Sequence, residues 1–307
     1  MGLLGHLLTL GRVSNLPTVW TNVVAAYVLN ASVGKTLSVM PALSTFNVWD
    51  NSTLGLLMLG ASLLYIGGCT LNDAVDHKFD AQHNPQRPIP SGALTATAVW
   101  VIGMLELVLG AWVMIEGARC SSLWVSLLLI TLVAYDLAHK KWNGSFILMG
   151  CCRLFLWASA ATAGGMTFIA PQTWAWGIAL MAYVMGITLH ARGEATDRVH
   201  AHRVSILLLF ATPLLALMAL VYWNNLDPIR VFLVNLSGLL AAWIAICAIL
   251  RMREGEPGCI GGGVSRLLSG ICALDATVLA FVAPILVGPV ILGVSFAQIL
   301  QKKFAAT

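Results

Sequence analysis

Residues 54–71 read LGLLMLGASLLYIGGCTL, and this apolar run ends on Asn72-Asp73-Ala74-Val75-Asp76-His77-Lys78-Phe79-Asp80. On a helix, Asp73, Asp76 and Asp80 stand at i, i+3 and i+7, while Asn72, Asp76 and Asp80 stand at i, i+4 and i+8. All four therefore share roughly one face. Like charges so spaced repel one another, and such a helix asks for a cation. Oxygen ligands of this kind suit Mg²⁺, which is usually held by one or two carboxylates together with substrate phosphates. The stretch predicts a membrane-crossing helix that ends in a metal–diphosphate site at the surface.

The rest of the chain supports a membrane setting. Of 307 residues, 59% are hydrophobic and only 10% charged, with a mean hydropathy of +0.85. A soluble domain carries about 25% charged residues. The net charge of +4 is too small and scattered for a nucleic-acid footprint. The seven cysteines show no C-x-x-C pair and no zinc spacing, so they read as reduced packing residues. Gly11-Arg12 interrupts the leucine-rich start and no small-residue cleavage site follows, which argues against a signal peptide. His6 stands where a myristoylation signal needs Ser or Thr, and an interfacial helix fits residues 1–15 better.

A span needs about 20 mostly apolar residues. That rule gives nine segments, at 16–31, 54–71, 96–115, 122–138, 145–169, 172–189, 204–223, 228–250 and 267–296. The expected fold is one all-α domain over residues 1–307, an integral membrane bundle of about nine transmembrane helices. With nine spans, one side holds Arg12, Lys78, Arg87, Lys140, Lys141, Arg192, Arg198, Arg203, Arg251, Arg253 and Arg266. The other loops hold Lys35, Arg119 and Arg230, with Lys302 and Lys303 in the tail. The excess of positive charge assigns the first side to the cytoplasm of a cell inner (plasma) membrane. Every histidine and most acidic residues fall on or beside that side, so the chemistry belongs there.

The first acidic stretch is followed by Arg87-Pro88-Ile89-Pro90-Ser91-Gly92, and Tyr135-Asp136-Leu137-Ala138-His139-Lys140-Lys141 closes the fourth segment. Together these resemble the signatures of the UbiA superfamily of intramembrane prenyltransferases: N-D-x-x-D-x-x-x-D, a loop of the R-P-[IL]-x-x-G type, and a Tyr-then-Lys loop. The resemblance implies that Asn72, Asp73, Asp76 and Asp80 bind Mg²⁺ bridging an isoprenoid diphosphate donor. Arg87, Lys140 and Arg153 would contact phosphate oxygens, by a bidentate fork or a point charge, with Arg192 beside them. Tyr135 would stabilise an allylic cation or position the diphosphate. Asp76, Asp80, Tyr135 and Lys140 are the expected catalytic set. A small acceptor attacks, and the prenyl tail lies among the spans, in contact with membrane lipid.

The superfamily's second signature, D-x-x-x-D after the sixth span, is altered. The chain reads Leu189-His190-Ala191-Arg192-Gly193-Glu194-Ala195-Thr196-Asp197-Arg198, with Asp197 at the second aspartate and Gly193 at the first. Glu194 and Asp197 are the remaining candidate metal ligands. The H-A-R-x-E-A stretch resembles the EboC-like branch of UbiA-like proteins, linked to moving a metabolite across the inner membrane. Two functions follow: a Mg²⁺-dependent prenyltransferase, or a catalytically altered relative that binds a prenyl diphosphate or lipid and assists export. An ion-coupled transporter ranks last, since only Glu106 and Asp275 lie within the spans as it would require.

Overall fold

The computed structural model describes residues 2–33, 52–192, 203–222 and 226–304. Their regular elements are helices, with no strand among the described residues. The helices are α1 Leu3–Leu10, α2 Leu16–Val33, α3 Ser52–His83, α4 Ala96–Trp112, α5 Ser122–Ala138 and α6 Ser145–Ala161. They continue with α7 Pro171–Ala191, α8 Arg203–Leu209, α9 Ala211–Tyr222, α10 Pro228–Met252, α11 Cys259–Val282 and α12 Val287–Gln301. Six segments are long and apolar enough to cross a membrane, and α8 with α9 form a further candidate bent by 49°. Helices α5 and α6 are shorter and apolar. At 32 residues α3 is the longest. It extends about 48 Å, well past a hydrocarbon core of about 30 Å, so its acidic end has room to stand clear.

The last expected segment, 267–296, is two helices rather than one. Ala283 adopts φ −145° and ψ 70°, and Pro284 lacks the N–H that a continuing helix needs. The chain reverses there. Gln298 Nε2 donates to Ser269 Oγ at 3.2 Å, and Gln301 Nε2 donates to Asn15 Oδ1 at 3.1 Å. The end of α12 therefore comes back to the start of α2. The expectation that Lys302 and Lys303 face away from Arg12 is corrected accordingly.

Small residues set the close approaches. A Cβ added at Gly110 on α4 would lie 2.8 Å from the Leu64 backbone nitrogen and 3.0 Å from Gly60 O on α3. Without a hydrophobic drive between helices in lipid, such contacts let backbones pack tightly. Helix α11 is buried around most of its circumference and packs on α10, α12, α2 and α7. An apolar helix buried on all sides forms the centre of such a bundle. Helices α3, α5, α6, α7 and α11, with Arg12 and Asn15 just before α2, surround a cavity of about 360 Å³.

Candidate active site at the acidic end of helix α3

At the acidic end of α3 Asn72 lines that cavity, while Asp73, Asp76 and Asp80 are not among its lining residues and form a charged rim beside it, Asp73 paired with the lining residue Arg12. Arg87 Nη1 donates to Asp80 Oδ2 at 2.8 Å and to Asp73 Oδ1 at 3.3 Å. The loop that carries Arg87 is brought back by the break at Asn84-Pro85. Asn84 Nδ2 donates to Asp80 Oδ1 at 3.1 Å. Arg12 Nη2 lies 3.4 Å from Asn72 Oδ1 and 3.5 Å from Asp73 Oδ1. Arg12 holds φ 44°, a left-handed conformation uncommon for a residue with a side chain. That turn joins α1 to α2 and directs the guanidinium at α3.

Asp76 takes the other side of the rim. Lys140 Nζ is 2.7 Å from Asp76 Oδ1, and His139 Nε2 is 3.1 Å from Asp76 Oδ2. His139 Nδ1 faces the Asp136 and Tyr135 carbonyls at 3.1 and 3.3 Å. Both ring nitrogens thus face acceptors, which only the imidazolium satisfies in full. Burial works against that charge, but the hydrogen bond and charge of Asp76 outweigh it and raise the His139 pKa above its ordinary value. Lys140 Nζ also sits 3.7 Å from the centroid of the Phe79 ring. Tyr135 stacks on His139 with centroids 5.2 Å apart.

Asn72 faces inward. Its Nδ2 donates to Asp136 Oδ1 at 3.1 Å while its Oδ1 receives Arg12, so the amide links two lining residues. Tyr135, Asp136, Tyr65, Asn15 and Arg153 continue the polar lining, and Leu64, Leu132, Leu156, Val184, Val264 and Leu268 complete the apolar wall. Arg192 does not reach the aspartates. Its Nη2 donates to Ser145 Oγ at 2.9 Å, and Ser145 Oγ donates to the His139 carbonyl at 3.3 Å. Glu194 and Asp197 lie outside the described residues.

Sequence reasoning placed Asn72, Asp73, Asp76, Asp80, Arg87, Tyr135 and Lys140 together, and they are together. It missed His139 and Asp136 as site residues, although both stand beside Tyr135 and Lys140 in the same loop. Arg12 carried only a weak signal, since 60 residues separate it from Asn72. Asp275 lies within α11, where it accepts from Thr21 and Asn22. Glu106 does not line the cavity, and its Oε2 is buried without a partner among the described residues.

Among the described residues, no three His, Cys, Asp or Glu side chains lie close enough to hold a metal by themselves. The donor set still fits Mg²⁺, which rarely depends on an all-protein cage and takes one or two carboxylates plus phosphates. One arginine nitrogen already bridges Asp73 and Asp80, so the two carboxylates converge on one positive charge.

Comparison with known proteins agrees with this architecture. A solved structure of digeranylgeranylglyceryl phosphate synthase in membranes is similar with a TM-score of 0.58 at 16% identity, covering 92% of this chain and 98% of that one. An apo structure of a UbiA homologue from Aeropyrum pernix K1 has a TM-score of 0.61 at 16% identity, covering 87% and 96%. At that identity the likeness shows the fold. A search of curated protein sequences gave no match. The model of the UbiA prenyltransferase family matches residues 33–257, and the chain belongs to that family.

Proposed function

We propose that the protein transfers a prenyl group, within the membrane, from an isoprenoid diphosphate to a small acceptor. Family membership supports the general kind of reaction. The observation that carries the finer reading is the charged rim, in which Asp73, Asp76 and Asp80 are matched by Arg12, Arg87 and Lys140 above a cavity with a largely apolar wall. An anionic head group suits the rim and a hydrocarbon tail suits the wall.

Asp73, Asp76 and Asp80 would hold Mg²⁺, with Glu194 and Asp197 as candidates for a facing side. Bound there, the metal supplies neutralisation of charge on the departing diphosphate. Arg87, Arg12 and Lys140 have the reach to exchange a carboxylate for a phosphate oxygen, the arginines by a fork and the lysine as a point charge. Their donors then point at the oxygens where charge develops. Arg192, two hydrogen bonds from His139, supports the loop that carries Lys140. Tyr135 places its ring at the junction of rim and wall, where an aromatic face stabilises positive charge on the allylic group. The apolar wall excludes water that would intercept it. The basic loops favour a cytoplasmic rim in the plasma membrane.

Release of diphosphate decides the matter. Purified protein in detergent, given radiolabelled geranyl, farnesyl or geranylgeranyl diphosphate with Mg²⁺ and candidate acceptors, should release diphosphate, and EDTA should stop it. The second reading, a binder that assists export, is favoured by Gly193 at the place of an aspartate. It predicts donor binding with no release under any acceptor.

A further inference from the structure

Three cations gather where α12 returns along α11. Gln298 Nε2 donates to Ser269 Oγ, and Ser269 Oγ donates in turn to the Arg266 carbonyl at 2.8 Å. The two helices run antiparallel, so one turn beyond that contact α11 presents Arg266 while α12 presents Gln301 and Lys302, with Lys303 next. Arg266, Lys302 and Lys303 are exposed, and among the described residues none has a carboxylate within 4.0 Å. Arg251, at the end of α10, differs in being paired with Glu254 and Glu256. The dipole of α12 favours lysines at its last turn. Arg266 stands in the first half of α11, Cys259–Val282, where a helix dipole offers a cation nothing. Like charges on both sides of one seam repel, and an anion between them removes the repulsion.

The surface below the patch identifies the anion. Leu292, Phe296 and Ile299 are exposed and stand at i, i+4 and i+7 on α12, and Lys303, in the turn after the helix, continues their stripe at i+11. Lys303 follows Leu292 by 11 residues, about 16 Å along a helix, and half of a hydrocarbon core is about 15 Å deep. An apolar track one leaflet long therefore ends on unmatched basic side chains. A free anion would use only the basic end; a phospholipid uses both. Basic clusters at the end of a membrane helix attract anionic head groups in this way. The bond from Gln301 to Asn15 places the patch on the same side of the molecule as Arg12.

We infer that the end of the α11–α12 hairpin binds an anionic phospholipid, its phosphate held by Arg266, Lys302 and Lys303 and an acyl chain lying along Leu292, Phe296 and Ile299. The site is separate from the aspartate rim and goes beyond the prenyl-transfer reading, since it stands whether or not the protein turns over a donor. A lipid bound there joins α12 to α11 beside Gln301 and so steadies the contact of that glutamine with Asn15.

The test uses full-length protein in detergent, titrated with phosphatidylglycerol and with phosphatidylcholine of the same acyl chains, and counts bound lipid by native mass spectrometry. Wild type should hold the anionic lipid about tenfold or more tighter than the zwitterionic one. The triple variant Arg266→Gln, Lys302→Gln, Lys303→Gln should bring that ratio below about twofold. Arg253→Gln, which removes an exposed cation at the end of α10, should leave it unchanged. Phosphatidylglycerol should also raise the melting temperature of wild type and not that of the triple variant. If the triple variant does not fold, Lys302→Gln with Lys303→Gln, both past the end of α12, carries the same comparison and should lose most of the preference. No preference in wild type, or a preference kept in these variants, overturns the inference. So does an equal loss in Arg253→Gln, which would make the effect one of overall charge. Displacement of the bound lipid by glycerol phosphate at equal concentration would overturn it too, since the apolar track would then play no part.

Discussion

One nitrogen of Arg87 bridges Asp73 and Asp80, two carboxylates seven residues apart on a single helix. Their side chains are 9% and 3% exposed, so the arginine meets both carboxylates where water scarcely reaches them. The bridge explains how Asp73 and Asp80 share one helix face.

Arg87→Gln should therefore destabilise the free protein, because removing one partner of a buried pair leaves an uncompensated charge, at a cost of about 3 kcal/mol. Millimolar Mg²⁺ should raise the melting temperature of the variant by more than it raises that of wild type, since the ion can take the place of the missing cation. Equal shifts in the two proteins would count against a cation site between Asp73 and Asp80.

Lys140→Met keeps an unbranched stem while removing the ammonium that pairs with Asp76 and lies over the Phe79 ring. Affinity for Mg²⁺–diphosphate should fall by about tenfold, the weight of one charge-assisted hydrogen bond. Isothermal titration reads this directly, and a change under about twofold would remove Lys140 from the binding set.

His139 gives the rim a pH dependence of definite sign. Its folded-state pKa is raised, with burial opposing and Asp76 prevailing. The stability it contributes is complete below its unfolded value of about 6.5 and is lost as pH rises through the folded value. Melting temperatures across pH 5 to 9 should show a fall on the alkaline side in wild type that is smaller in His139→Gln. Parallel curves would show that the pair carries no such stability.

Gly110→Ala places a Cβ 2.8 Å from the backbone of Leu64. Backbone cannot swing aside as a side chain can, so α3 and α4 must part, at a cost of about 1–3 kcal/mol. A lowered melting temperature in detergent is expected, with the rim disturbed through α3. Gly55→Ala, on α3, meets nothing within 4 Å and serves as the control.

The apolar runs made most of the helices legible, because length and charge placement are one-dimensional properties. The rim was legible for the same reason: Asn72, Asp73, Asp76 and Asp80 are ordered by helical spacing, and Arg87 follows within a short loop. What could not be read was which partner each side chain takes. Arg12 reaches α3 through a left-handed turn, and Asn72 turns its amide toward Asp136 across 64 residues. Arg153 was legible as a cation just inside an apolar segment, but its distance from the rim depends on where α6 starts relative to α3. The break at Ala283 was hidden because Pro284 sits within a run apolar enough to pass as one long span.

That break changes what must cross the lipid during insertion. Because α11 and α12 fold back as a hairpin, Lys302 and Lys303 stay in the half of the molecule that keeps Arg12, and neither ammonium needs to be carried through hydrocarbon. The hairpin can enter as one unit with its two basic anchors left behind. Its last polar link, Gln301 to Asn15, then fastens the end of α12 to the turn that precedes α2.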